Sequence, residues 1–165
     1  EGPFVLTMAD HVFDDGVAEC AAQADMDVAD LHLCVDYRID DIYDMDDATK
    51  VATVNGPHID TISKQLETFD CVDCGVFAVS QALLDELQRV LDANGDCSLS
   101  EGVAGLARKQ RARVVDIGAS FWQDVDTQPA RLRAERILTA SSAAASGAMP
   151  FAAASRSEDA QPKRS

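Results

Sequence analysis

Carboxylates dominate the residues of this sequence that could do chemistry, and two groups of them stand where the chain changes structure. Asp10 closes the apolar run Phe4-Val-Leu-Thr-Met-Ala9 and is followed by His11. In open α/β sheets the carboxyl ends of the strands face the ligand crevice, so an Asp at this point is a candidate ligand for a divalent cation. Its competing role is to cap a helix beginning near Val12 by accepting hydrogen bonds from free backbone amides. The segment Trp122-Gln-Asp124-Val-Asp126-Thr127 carries the second group. Side chains two apart on an extended segment point the same way, so Asp124 and Asp126 can converge on one cation. Capping by Asp126 or Thr127 ahead of Pro129 is compatible with ligation and leaves Asp124 unexplained.

Cations are the scarcer resource. Lysine occurs only at 50, 64, 109 and 163, and an acidic protein that handles phosphates needs localised positive charge to hold them. Lys50 and Lys64 are therefore candidate substrate ligands, with ordinary surface charge as the alternative for each. Asp73 lies inside the apolar run Cys71 to Val79, where a carboxylate must be paired or satisfied by a ligand. Ligand contact and structural hydrogen bonding both remain open there. His11, His32 and His58 are dispersed and form no Ser/His/Asp or Cys/His arrangement, so hydrolase chemistry has no support. Asp92-Ala-Asn94-Gly-Asp96-Cys-Ser98 begins like a calcium loop. It fails at Cys97, where the loop needs Gly, and at Val103, where it needs a bidentate Glu.

The elements that must position these residues follow from periodicity and turn chemistry. The opening run to Ala9 predicts a buried strand, and small and apolar residues at helical spacing predict a helix from Val12 to Ala24. Leu31 to Val35 predicts a second strand. Lys50 to Val54, Asn55-Gly56 and His58 to Ile62 predict a hairpin, because Asn-Gly supplies the positive φ angles of a tight turn. Cys71 to Val79 predicts a strand, and Ser80 caps a helix that ends at Asn94-Gly95. Ser98 or Ser100 caps another reaching about Arg111. A strand at Arg113 to Ile117 and a helix from Thr127 to Leu138 complete the order. The fold class is mixed α/β. The Ala/Ser-rich stretch 139–165 predicts a disordered tail or linker, so the domain runs 1–138.

Composition bounds the function. The 165 residues carry 29 Asp plus Glu against 14 Lys plus Arg, and the net charge of -15 opposes attraction to nucleic-acid phosphates or anionic lipid. Neither nucleic acid nor direct membrane insertion is expected. The five cysteines (20, 34, 71, 74 and 97) form an odd set, with no signal peptide or long apolar run, which fits a reducing cytoplasm. Cys71 and Cys74 lack a second metal-binding pair at zinc spacing and are expected as small core residues on a strand.

Five motifs occur in a familiar order: Phe4-Val-Leu-Thr-Met-Ala-Asp-His11, Asp47-Ala-Thr-Lys-Val51, Phe69-Asp-Cys-Val-Asp-Cys-Gly75, Cys97-Ser-Leu-Ser-Glu101 and Phe121-Trp-Gln-Asp-Val-Asp-Thr127. From Phe4 to about Leu138 the sequence resembles the nucleotidyltransferase domain of inositol-1-phosphate cytidylyltransferases, within the sugar-phosphate nucleotidyltransferases. That domain is often fused to a membrane-embedded phosphatidyltransferase-like domain. The resemblance implies a Rossmann-like mixed sheet flanked by helices, attack of an inositol or sugar phosphate on the α-phosphorus of CTP or another nucleoside triphosphate, and a CDP-polyol for phospholipid or compatible-solute synthesis. It implies Mg2+ held by Asp10 and by Asp124 or Asp126, with Asp10 and Asp126 serving catalysis. It also implies that Lys64 grips the acceptor phosphate and Asp73 contacts acceptor hydroxyls. Ala9 and Cys74 replace the Gly and Thr usual in the family. Nothing resembles the Gly-rich, Arg-containing loop that cradles the triphosphate. The chain is therefore expected to be the carboxyl-terminal half of such a domain, with other sugar-1-phosphates, or a non-catalytic binding module, as alternatives.

Overall fold

The computed structural model describes residues 2–145, and its architecture is organised by two strands buried on both faces. β3 (Leu31–Asp36) has every residue buried, and its partner β6 (Cys71–Val79) is buried at all positions but one. Such strands need cover above and below, and helices supply it on both sides. With β1 (Phe4–Thr7), β4 (Lys50–Val54), β5 (His58–Ser63) and β7 (Ala112–Asp116), they form a six-stranded sheet in the order β1-β6-β3-β7-β5-β4. The sheet is mixed: β3 runs antiparallel to β6 and parallel to β7. β4 also reaches back to the start of β6 through Lys50↔Val72 and Val51↔Cys71.

On one face, α2 (Gln81–Asn94) and α3 (Leu99–Arg108) place Leu83, Val103 and Leu106 against Leu31, Leu33, Val35, Phe77 and Val79. On the other, α1 (Asp15–Ala22) sets Val17 and Ala21 against Cys34, Cys74, Val76 and Ala78. The alternation of odd and even strand residues between the two clusters is the period-2 signature of a pleated strand. Caps and turns are where their residues dictate: Ser80 accepts from the Ala82 amide, Gly95 closes α2 at φ 78°, and Ser98 and Glu101 form a capping box. Asn55 and Gly56 turn the hairpin at φ 50° and 85°.

Three expectations change. β1 is an edge strand paired with β6 alone, so Phe4 and Val5 are 38% and 46% exposed rather than buried. The first helix starts at Asp15, because residues His11–Phe13 are claimed by a separate strand, β2. The last helix, α4 (Gln128–Ala145), continues beyond Leu138; the remainder of the Ala/Ser-rich stretch lies outside the described residues. All five cysteines are free, and Cys71 and Cys74 are buried on β6 as expected. Burial pushes the Cys71 thiol up to about 12 and that of Cys74 well above its ordinary value, which leaves both unreactive.

The seam between α2 and α3 holds a buried carboxylate. Glu86 is 2% exposed and accepts bonds from Arg89 Nη2 and Lys109 Nζ, each at 2.6 Å. Gly105 of α3 makes room for it, since a Cβ there would lie 2.0 Å from the Glu86 carboxyl. The bonds from Arg89 and Lys109 outweigh burial and hold its pKa at about 2. A depressed carboxylate stabilises the fold above its unfolded pKa, near 4.5, and that contribution is lost as pH falls toward 2. Glu86→Gln should therefore cost about 1–3 kcal/mol at pH 7 in urea denaturation, discounted for its exposed partners, and the gap from the parent should narrow at pH 3. An equal gap at both pH values would show that the carboxylate charge contributes nothing.

Candidate active site

β2 (His11–Phe13) and β8 (Trp122–Asp124) form a short antiparallel ribbon beside the main sheet, in the register His11↔Asp124, Val12↔Gln123 and Phe13↔Trp122. The Val125 amide donates to the Asp10 carbonyl at 2.8 Å and extends the pairing by one step. Segments more than a hundred residues apart are thereby locked so that Asp10 and Asp124 share one end of the ribbon. Asp14 fixes the other end: its carboxylate accepts from the Gly16 amide as the N-cap of α1 and from the Phe121 amide at 2.8 Å. Capping thus belongs to Asp14, and Asp10, without a capping role, lines the cleft. The same division holds at α4, where Thr127 Oγ1 accepts from the Ala130 amide and Asp126 is free of that duty.

The ligand atoms of Asp10, His11 and Asp124 lie within 4.8 Å of one another, as do those of Asp47, Asp124 and Asp126, so Asp124 is common to both groups. Burial raises the Asp124 pKa, and the neighbouring charges of Asp126 and Asp10 push it further the same way. The hydrogen bond from His11 instead lowers that of Asp10. A divalent cation would relieve the mutual repulsion of these carboxylates, and their hard oxygen donors suit magnesium. The residues present therefore fit such an ion.

A cleft of about 620 Å³ opens in front of this cluster, lined among others by Asp10, Asp73, Asp124, Asp126, Lys64, Arg38 and Arg133. Lys64 Nζ is bonded to both oxygens of Asp47 at 2.8 and 2.9 Å, and that partner raises its pKa. Asp73 sits at an irregularity in the β3–β6 pairing, where the register shifts between Leu33 and Val35. Its Oδ1 accepts from the Gly75 amide at 2.7 Å, and burial pushes its pKa up to about 6. Lys50 is not brought to the cleft. It is 8% exposed, and its ammonium is committed to the carbonyls of Ala48 and Lys64 at 3.2 and 3.0 Å.

Two cleft cations escaped the sequence reading. Arg38 is held by Asp36 through Nε and Nη2 at 2.9 and 2.8 Å and donates to the Ser120 carbonyl. Arg133 donates to Gln123 Oε1 and lies 5.0 Å from the Tyr43 ring centroid. Arginine is common enough here that frequency gives no cue, whereas Lys64 stood out by rarity. The spacing Asp36-x-Arg38 was the one available sign of a locally paired guanidinium.

No model of a known protein family matches the chain. It is 31% identical over 147 residues to the protein of Archaeoglobus fulgidus named bifunctional IPC transferase and DIPP synthase, an alignment covering 89% of this chain and 27% of the relative. Proteins of the same name from Thermococcus kodakarensis and Aquifex aeolicus are 32% and 27% identical over 83% and 77% of the chain. The chain spans just over a quarter of the length of these relatives. Among solved structures, the inositol-1-phosphate CTP transferase from T. maritima superposes with a TM-score of 0.65 at 24% identity, over 78% of this chain and 51% of that one. A protein of Bacillus anthracis named as a candidate glucose-1-phosphate thymidylyltransferase, in complex with sucrose, gives 0.62 at 13% identity, over 82% and 54%. The fold is thus the mixed α/β sheet of the nucleotidyltransferases, and the resemblance read from the five motifs holds.

The raised pKa of Asp73 has a consequence for stability. A carboxyl whose folded pKa exceeds its unfolded value, near 3.8, leaves the fold unburdened below that value and costs stability as pH rises through about 6. Asp73→Asn keeps an oxygen for the Gly75 amide and removes the charge. It should raise stability by about 1–2 kcal/mol at pH 8 and change it little at pH 3.5, read by urea denaturation. A variant less stable at pH 8 would mean that the ionised group is well satisfied.

Proposed function

We propose that this chain serves the transfer of a cytidylyl group from CTP to inositol 1-phosphate, yielding CDP-inositol and pyrophosphate. The observation that carries the reading is the ribbon that pairs His11 with Asp124 and so brings the Asp10 and Asp124 carboxylates together in a cleft also lined by Lys64. The names and sequence similarity of the archaeal and bacterial relatives support this substrate pair. Asp10 and one of Asp124 and Asp126 are the proposed ligands of Mg2+. The ion supplies charge neutralisation and alignment of the phosphates for in-line displacement.

The chain's own residues do the rest by binding and orientation. Lys64 exchanges Asp47 for the acceptor phosphate, whose oxygen attacks the α-phosphorus as the bond to pyrophosphate breaks. That oxygen is already ionised at neutral pH, so no side chain need remove a proton from it. Asp73, ionised above about pH 6, accepts hydrogen bonds from acceptor hydroxyls. Preorganised charge of this kind is the main source of catalysis in phosphoryl-type transfers. The bifunctional names of the relatives, and the quarter of their length spanned here, support a fused or partner phosphatidyltransferase domain and a role in phospholipid synthesis. Among the described residues no helix is long and apolar enough to cross a membrane, and the free cysteines favour a cytoplasmic setting.

A second reading, with a sugar 1-phosphate as acceptor, is favoured by the shape match to the B. anthracis protein. Calorimetric titration separates the two. Inositol 1-phosphate added with Mg2+ present should bind, and Asp10→Asn and Lys64→Ala should each weaken binding about 10-fold or more, as expected for loss of a charge-assisted contact of roughly 1.5–3 kcal/mol. Tighter binding of glucose 1-phosphate would select the second reading. No heat from either compound with a folded chain would sink the acceptor site.

A further inference from the structure

The His11 side chain meets Asp10, Trp122 and the backbone of Gly75 at once. Its Nδ1 lies 3.1 Å from Asp10 Oδ1, and because a carboxylate only accepts, the imidazole donates. Its ring stacks nearly parallel on the Trp122 indole, with centroids 5.6 Å apart and planes 8° from one another. The ring also rests against the backbone of Gly75, so closely that a Cβ there would meet Cδ2, Cγ and Nε2 at 2.7, 2.8 and 3.0 Å. The indole is itself tethered, since Trp122 Nε1 donates at 3.0 Å to Asp36 Oδ2, and Asp36 is 3% exposed and held by Arg38. A buried carboxylate thus fixes the indole, the indole and a glycine fix the imidazole, and the imidazole fixes one oxygen of Asp10.

We propose that His11 is a positioning residue, clamped by Trp122 and Gly75, that orients the Asp10 carboxylate for a divalent cation; this rests on the metal-dependent reading of the site given above. Direct ligation by His11 is the weaker arrangement. Nδ1 is spent on Asp10, Nε2 lies against Gly75, and magnesium favours oxygen over nitrogen. Hydrogen-bonded partners of this kind orient metal ligands, and their removal commonly costs about 10–100-fold in metal affinity. The ring's 13% side-chain exposure leaves it little freedom, so the restraint on Asp10 exists before any ion arrives.

Mn2+ is a suitable probe, because its free and bound forms are distinguished by electron paramagnetic resonance without any turnover. The full chain should bind Mn2+. His11→Phe keeps a ring over Gly75 and against Trp122 but has no donor, and it should weaken binding at least about 10-fold with a thermal midpoint close to the parent's. His11→Asn places an amide donor where Nδ1 stood and should recover most of that loss. Trp122→Phe keeps a stacking partner but breaks the tether to Asp36, and it should show an intermediate loss. Full Mn2+ affinity in a folded His11→Phe chain would overturn the positioning role while leaving the metal site intact. Should that variant not fold, full affinity in Trp122→Phe would overturn the clamp. A parent chain that binds no Mn2+ would overturn the metal site itself, and the positioning role with it.

Discussion

The close contact between His11 and Gly75 is the constraint on which the site depends. At Gly75 the backbone adopts φ 70°, the β3–β6 register slips, and the Met8 amide donates to the Gly75 carbonyl at 2.8 Å. A side chain at this position would be strained in its backbone and would strike the imidazole. The same irregularity turns Asp73 toward the cleft, because its carboxylate bonds the Gly75 amide. One glycine therefore places both the Asp73 carboxylate and the histidine that contacts Asp10. The central strands can afford this local break because both of their faces are covered, so the ladder is not what keeps them together.

The fold was legible where local chemistry and period agree. β3, the β4–β5 hairpin, β6 and α2 lie where alternation, Asn-Gly and the Ser80 and Gly95 caps put them. The misreadings share a physical cause. An apolar run such as Phe4 to Ala9 looks the same whether it is central or at an edge, and only pairing decides; β1 has one neighbour and stays exposed. The residues 11–13 carry small helical signals that lost to pairing with a strand more than a hundred positions away. Long-range pairing of this kind leaves no trace in a local window.

Most of the expected site residues that line the cleft could be picked out singly in the sequence, whereas their convergence could not. Asp10 stood out at the end of an apolar run, and Asp124 and Asp126 as carboxylates two apart on an extended segment, but their convergence requires the ribbon register. Asp10 and Asp14 show how closely the alternatives stand: both precede α1, yet Asp14 caps it and Asp10 lines the cleft. By rarity alone Lys50 and Lys64 were equal, and only the family resemblance favoured Lys64. The structure separates them because Lys50 lies on β4 under the carbonyls that bind it, while Lys64 follows the end of β5 and reaches Asp47 across the cleft.

The proposed reaction asks a chain of net charge -15 to accommodate phosphates. The cleft lining carries Asp10, Asp36, Asp41, Asp44, Asp47, Asp73, Asp124 and Asp126 against Arg38, Lys64 and Arg133. Each of those three cations is already engaged, by Asp36, by Asp47, and by Gln123 with Tyr43. A phosphate entering such a cleft alone meets repulsion that no free cation offsets. Under the proposed reaction, a divalent ion held by Asp10 and Asp124 would offset part of that negative charge. It would also give Asp47, which shares the Asp124 and Asp126 cluster, a second partner to set against Lys64. Lys64 would then leave Asp47 for an acceptor phosphate at a lower cost, and under that reading the acceptor contact would depend on metal occupancy.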